Sequence, residues 1–183
     1  MAKRIAYTGG PVLVMADVAR QCRVEVDDLQ PELIEMVIIP GVTAQCEALT
    51  GAAIREAIYQ DEWPEHYESG HALDVGQVKQ VNSVSRMEAD GTLTVLTVAR
   101  RLRHSQRESF LEFPDGRPAG VLVINYAAGV DLDAYPSVRS WLLIQAGTAF
   151  EFRETLIAGT IISKLPDTYL DSLLADITVP PRF

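Results

Sequence analysis

Residues 136–157 read Pro136-Ser-Val-Arg-Ser-Trp-Leu-Leu-Ile-Gln-Ala-Gly-Thr-Ala-Phe-Glu-Phe-Arg-Glu-Thr-Leu-Ile157, the pattern of a helix that is apolar on more than one face. Pro136 suits the first helical turn, where its missing amide donor is not needed. One stripe with the three-and-four spacing of a helix face comprises Val138, Trp141, Leu142, Gln145, Ala149 and Phe152. A second stripe, turned away from the first, comprises Leu143, Ile144, Gly147 and Phe150.

Two arrangements account for a helix with two apolar stripes. The helix is either buried on all sides within its own monomer, or it buries the first stripe and presents the second to another subunit. Small domains rarely cover both sides of a helix. The sequence of this helix alone leaves both arrangements open.

The composition is typical of a globular chain with one core. The 183 residues are 48% hydrophobic, enough for one domain with an appended arm but tight for two full domains. Apolar runs stay well below the roughly 20 residues of a membrane-spanning helix. Gly9-Gly10-Pro11 interrupts the start, so we expect no transmembrane segment and no signal peptide. Cys22 and Cys46 have no metal-ligand spacing and are expected to be reduced core thiols.

The formal net charge of −9 argues against a protein that grips nucleic acid with its whole surface. One basic cluster remains, at residues 100–107. Strand alternation there predicts Arg101 and Arg103 on one face. We expect them to pair with acids of this chain or of a neighbour, and contact with passing phosphates is the alternative.

Two helices are predicted before residue 52. The first spans residues 11–23, and the second runs from about Leu29 to Leu49. Pro40-Gly41 in the second predicts a kink, or two helices that meet there. The buried stripe of this second helix is predicted to comprise Leu33, Met36, Val37, Ala44 and Ala48.

Residues 52–130 have the alternation and turn residues of an antiparallel β module. A strong hairpin is predicted at Asp90-Gly91. The predicted strands are Ala53 to Gln60, Ala72 to Val75, Val78 to Met87, Thr92 to Val98, a strand around Leu102, Phe110 to Phe113 and Val121 to Tyr126. Helices, strands and a helix in this order predict the α+β class, without the alternation of a nucleotide-binding sheet.

No catalytic constellation is found in the sequence. Glu62, Glu65, His66 and His71 could bind a divalent metal ion, but their spacing matches no ligand motif. Pro64 and Gly70 indicate a solvated acidic loop instead. We therefore expect no enzyme activity, no metal and no cofactor, with a small metal-dependent hydrolase as the remote alternative.

The layout as a whole resembles the head-to-tail connector, or adaptor, family of long-tailed bacteriophages. The segments that carry the resemblance, in chain order, are Cys22-Arg-Val24 with Asp27-Asp28-Leu29, Ala48-Leu-Thr50-Gly51, Trp63-Pro64, Val81-Asn-Ser-Val84 with Asp90-Gly91, Tyr126-Ala-Ala-Gly129 and Phe150-Glu-Phe-Arg-Glu154. Pro40-Gly41 and the basic stretch 100–107 depart from the family pattern.

The resemblance implies one connector domain over residues 1–157. Its helical bundle comprises residues 11–51 and 136–157, that is, two N-terminal helices and one long C-terminal helix. A small antiparallel β module, residues 52–130, is inserted between them. Residues 158–183 form an extended C-terminal arm, and the apolar, proline-stiffened ending 178–183 suits docking on a partner.

The resemblance also implies a virion structural protein at the head–tail junction, made in the host cytoplasm. Copies would form a ring, a dodecamer, between the portal protein and a stopper or tail-completion protein, with double-stranded DNA passing unbound and no membrane involved. The expected subunit interface comprises Leu143, Ile144, Gly147, Phe150, Arg153, Arg101 and Arg103. The expected portal-binding arm comprises Leu174, Ile177, Val179, Pro180, Pro181, Arg182 and Phe183. A head-completion stopper or a tail terminator is the alternative role.

Overall fold

A computed structural model of the chain describes residues 2–152 and 166–181. They group into two compact units. The β unit contains residues 2–10, 51–130 and 177–181, and the helical unit contains residues 11–50, 131–152 and 166–176. The fold mixes helices with two antiparallel sheets, which is compatible with the predicted α+β class.

The strands of the β unit form one five-stranded and one three-stranded sheet. Their bounds are β1 (Lys3–Tyr7), β2 (Ala57–Trp63), β3 (His71–Ala72), β4 (Val78–Met87), β5 (Leu93–Val95), β6 (Arg101–His104), β7 (Ser109–Glu112) and β8 (Leu122–Ala128). The larger sheet has the order β1-β2-β8-β4-β5, and the smaller has the order β3-β7-β6. The described pairs within both sheets are antiparallel.

β8 is the central strand of the larger sheet. Its sequence is almost continuously apolar, and six of its seven residues are buried. Such a run is expected for a strand covered on both faces. Trp63, Ile124 and Tyr126 from the larger sheet share one hydrophobic core with Leu111 and Phe113 from the region of β7. The two sheets therefore form one folded unit.

The predicted hairpin between β4 and β5 is confirmed at Asp90-Gly91. Gly91 has a φ of +83°, a value that glycine adopts readily, and the Asp90 carboxylate accepts the Thr92 amide N–H at 2.9 Å. β4 has the predicted bounds, Val78–Met87. β1 was not predicted from the sequence. All five of its residues are exposed, so the strand has no buried face that would require alternating apolar residues.

The helical unit contains α1 (Met15–Cys22), α2 (Pro31–Thr50), α3 (Pro136–Glu151) and α4 (Asp167–Leu174). α3 contacts each of the other three helices. The Asp17 carboxylate stabilises the start of α1 by accepting the Val14 amide N–H at 3.1 Å, and it also accepts a hydrogen bond from Arg139 of α3 at 3.1 Å. One side chain thus caps α1 and joins it to α3.

Helix α2 continues through Pro40-Gly41 as one helix, so the predicted alternative of two helices that meet there is wrong, while the predicted kink stays a prediction. Its first turn is α-helical, Ile34–Ile38 form a π-helical segment, and the α-helix resumes at Ile39. Proline has no amide to donate, and its ring clashes with the carbonyl four residues earlier in a regular α-helix. A wider turn directly before Pro40 relieves that clash, which accounts for the π segment.

The predicted buried stripe of α2 is also wrong. The buried residues are Ile34, Ile38, Ile39, Val42, Thr43, Cys46 and Thr50, whereas Met36, Val37, Ala44 and Ala48 are exposed and Leu33 is half-buried. Between Met36 and Thr50 the helix has one charged residue, Glu47, so charge does not indicate which side faces inward. Among the described helices, α2 alone has the length and composition to cross a membrane, criteria that a core helix of a soluble protein also meets.

An acidic side chain lies in the core of the β unit. Asp61 of β2 is only 1% exposed, and its carboxylate accepts the Asp74 amide N–H at 2.9 Å. Burial raises the pKa of Asp61 to about 7, and the neighbouring Asp74 carboxylate adds to the shift. The folded protein therefore holds this carboxyl group protonated in mildly acidic solution.

Asp61 should make the chain less stable as the pH rises. Its folded-state pKa of about 7 lies above the ordinary value of 3.8, so its contribution is fully present below pH 4 and is lost as the pH rises through 7. The free energy of unfolding of the wild type should fall by about 2–4 kcal/mol between pH 4 and pH 8 because of Asp61. This part of the pH dependence should be absent in Asp61→Asn. Urea denaturation at several pH values measures this. Parallel pH profiles of the two proteins would contradict it.

Candidate assembly surfaces

The first stripe of α3 is buried at Val138, Trp141 and Leu142, as predicted, together with Ala146. Its other members are less covered: Gln145 and Ala149 are half-buried, and Phe152 is 38% exposed. α3 is described to Glu151, and the predicted continuation from 153 to 157 lies outside the described residues. The inward face of α3 thus runs from Val138 to Ala146.

The second stripe of α3 divides into two parts. Leu143, Ile144 and Phe150 are half-buried, and their interface role stays a prediction. Gly147 lies against α1: a Cβ added there would be 3.2 Å from Cγ of Gln21. The glycine therefore permits close packing of two helices within one chain, where the sequence suggested a contact between subunits. Arg153, the remaining helical member of the predicted interface, lies outside the described residues.

The basic cluster lies on β6, the edge strand of the smaller sheet. Arg101 and Arg103 are both exposed. Arg103 forms an ion pair with Glu112 of β7 at 2.9 Å, so at this position the predicted pairing with an acid of the same chain is confirmed. An exposed pair of this kind contributes little to stability. Part of the positive charge is nevertheless offset within the chain.

The C-terminal residues pack more closely than an arm would. Leu174 and Ile177 are buried, at 4% and 0% exposure, so they are not available to a partner in this conformation. Val179 lies beside Gly51 and Gly76, whose missing side chains leave room for it. Pro180 and Pro181 are exposed, while Arg182 and Phe183 lie outside the described residues. The docking role therefore stays a prediction for residues 180–183 only.

The loop with two imidazoles is an aromatic cluster. The His71 ring stacks on Tyr67 with centroids 3.7 Å apart and meets Trp63 edge-on at 5.4 Å, and His66 meets Tyr67 at 4.9 Å. Glu62 and Glu65 are exposed. Within residues 2–152 and 166–181, no group of three or more His, Cys, Asp or Glu side chains is placed to hold a metal ion. The loop packs against the core instead of forming a ligand set.

An exposed apolar surface of the helical unit lies on α2, at positions that include several residues predicted from the sequence to be buried. Met36, Val37 and Leu49 are 74%, 59% and 57% exposed. We define the α2 outer face as Met36, Val37, Pro40, Gly41, Ala44, Gln45, Ala48 and Leu49, all exposed and all uncharged. Over residues 36–50 the single charged residue is Glu47, and this lack of charge was the signal in the sequence.

A groove of about 380 Å³ runs beside this face, between α2 and the end of α3. It is lined on the α2 side by Leu33, Val37 and Gly41 and on the α3 side by Ala149 and Phe152. Among the described residues that line the groove, Gln45 supplies the one polar side chain and none is titratable. Such a lining suits the docking of an apolar side chain and offers nothing for catalysis.

Comparison with known proteins gives a match at the level of the fold. No family model matches the chain, and no curated protein matches it. Solved structures do match. A chain from the neck of an empty gene transfer agent (GTA) particle, computed with C6 symmetry, has a TM-score of 0.76 at 16% identity. A chain from the virion of the native GTA particle has a TM-score of 0.75 at 18% identity.

A third match is a chain from the neck of the native GTA particle, computed with C12 symmetry, with a TM-score of 0.69 at 15% identity. Each of the three alignments covers 100% of this chain and 97% of the other. The chain therefore shares its fold, over its whole length, with components of phage-like particles.

The contact of Gly147 with α1 predicts that the same substitution changes the free energy of unfolding differently at Gly147 and at Gly41. Gly147→Leu should lower the free energy of unfolding by about 1–3 kcal/mol, because the new side chain meets α1. Gly41→Leu is the matched control, since a Cβ there has nothing within 4 Å, and it should be neutral or stabilising by up to about 1 kcal/mol. Urea denaturation of dilute protein compares them. Equal stability of the two variants would show that Gly147 does not face α1.

Proposed function

We propose that this protein is a structural component of the neck of a tailed, phage-like particle, where it forms an adaptor ring between the portal vertex and the stopper or tail. The observation that supports this most strongly is the full-length fold match to a neck chain, with a TM-score of 0.76 over 100% of this chain. The role is one of assembly, and it needs no catalytic group.

The proposed ring is a dodecamer. The neck structures that share the fold were computed with C6 and C12 symmetry, and both symmetries place many copies around one axis. A ring of identical subunits closes when each copy uses one surface to bind a different surface of the next. The surfaces that make this contact must be separate from the residues that fill the core of each unit.

The charge of the chain suits a ring through which DNA passes. Twelve copies at −9 each would bring together about a hundred negative charges before counterions screen them. A net-negative lumen of the ring would repel the phosphates of DNA, so the DNA would pass without binding. We expect Arg101, Arg103 and Arg107 to lie away from the lumen or to pair with acids of an adjacent subunit; within its own chain Arg103 already pairs with Glu112.

Residues 180–183 are the proposed contact with the portal protein. Pro180 and Pro181 are exposed, and two adjacent prolines keep the backbone extended at a low entropic cost of binding. A stopper or tail-completion protein is the proposed partner on the opposite side of the ring. A stopper or a tail terminator would also form a ring, so the choice of partner distinguishes these roles.

Binding to the portal is the direct test of the adaptor role. Purified protein is mixed with DNA-filled heads that carry the portal but lack this protein, and the heads are examined by electron microscopy. We expect a ring of added density at the portal vertex. Density that appears only when the stopper is already present would assign the protein to a lower layer of the neck. A failure to bind any head or tail particle would contradict the neck role.

Two truncations separate the proposed arm from the fold. Removal of residues 180–183 should leave the melting temperature unchanged and abolish co-sedimentation with portal-bearing heads. Removal of residues 174–183 also deletes the buried Leu174 and Ile177, and it should lower the free energy of unfolding by about 3 kcal/mol or more. If the shorter truncation binds heads as wild type does, residues 180–183 are not the portal contact.

A further inference from the structure

We propose that the α2 outer face is the surface through which one copy of this chain docks on the next. The inference rests on the proposed ring and assigns its subunit contact to α2, where the sequence predicted the second stripe of α3. Exposure is the first reason. Met36 is 74% exposed and Val37 is 59% exposed, on a helix whose opposite side already fills the core of the helical unit.

Charge is the second reason. Copies that each carry −9 repel one another, so their contact is most favourable where neither like charges nor desolvated charges are brought together. The eight residues of the α2 outer face are uncharged, and Glu47 is the single charged residue in the fifteen positions from 36 to 50.

Shape is the third reason. Gly41, Ala44 and Ala48 are small, and a Cβ added at Gly41 would have nothing within 4 Å, so the backbone of a neighbour can approach closely. The groove of about 380 Å³ beside this face has space for a large apolar side chain, against Phe152 and Ala149. The exposed Met36 beside an apolar groove matches the core of a subunit interface, where methionine is enriched and charged residues are depleted.

A second copy fits this face better than a lipid bilayer does. To span a membrane, α2 would have to remove Ile34, Ile38 and Val42 from the core of the helical unit, where each is at most 5% exposed. The face would also have to bind lipid without a basic rim, because the nearest charged residues on α2 are Glu32, Glu35 and Glu47. A neighbouring subunit covers the outer face and leaves the core intact.

Charged substitutions at Ala44, in the middle of the face, test the proposal. Ala44→Glu and Ala44→Lys place opposite charges at one exposed position, and Thr168→Glu adds a negative charge at an exposed position of α4 as the control. Circular dichroism confirms that each variant is folded. Mass photometry over a range of concentrations then measures the fraction of chains in rings.

We expect wild type and Thr168→Glu to form rings at the same concentrations. Both Ala44 variants should need at least about tenfold higher concentration, because either charge must be desolvated in an apolar contact. Loss of assembly in Ala44→Glu but not in Ala44→Lys would point to simple charge repulsion and overturn the proposal.

Three other results would also overturn it. Rings of both Ala44 variants at wild-type concentrations would place the contact elsewhere and leave the proposed neck ring standing. Wild type that stays monomeric throughout would show that a second copy does not cover this face, and the binding of heads then tests the neck role separately. Binding of wild type to phosphatidylcholine vesicles, lost in both Ala44 variants, would identify the occupant as lipid.

Discussion

The helical unit depends on one constraint: from Met36 to Thr50, α2 has one charged residue, but only one side of the helix lies in the core. Ile34, Ile38 and Val42 fill that core, and the π-helical turn before Pro40 keeps the helix continuous while they do so. The opposite side is left uncharged and exposed. Exposure of an apolar face to water is unfavourable, and its burial against another molecule is favourable. The packing of this one helix is therefore linked to the proposed assembly of many copies.

The β unit, by comparison, has one hydrophobic core that both of its sheets share. β8 is buried along most of its length. Ile177 is fully buried and Val179 lies beside Gly51 and Gly76, so the end of the described chain belongs to this unit. Its buried Asp61 links stability to pH near neutrality. The chain thus combines a β unit built around one shared core with a helical unit whose α2 leaves an uncharged face exposed.

How far the sequence predicts the structure depends on whether local chemistry selects one answer. Asp90-Gly91 permits a tight turn and little else, so the hairpin and the bounds of β4 were predictable. The inward face of α2 was not predictable, because the α2 outer face carries no charge and Gln45 is its one polar side chain. Apolar residues near a terminus fit a docking arm and a buried end equally well, and only the structure shows Leu174 and Ile177 inside. Gly147 likewise serves helix packing within the chain as readily as between chains.

The central claim is that assembly covers the α2 outer face, and oxidative footprinting of Met36 tests it most directly. Free and assembled protein are exposed to the same dose of hydroxyl radicals, and oxidation of each methionine is measured by mass spectrometry. Met15 and Met87, both half-buried, serve as internal references. We predict that the oxidation rate of Met36, which is 74% exposed in the single chain, falls at least about tenfold on assembly relative to both references. An unchanged rate in assembled rings would contradict the account.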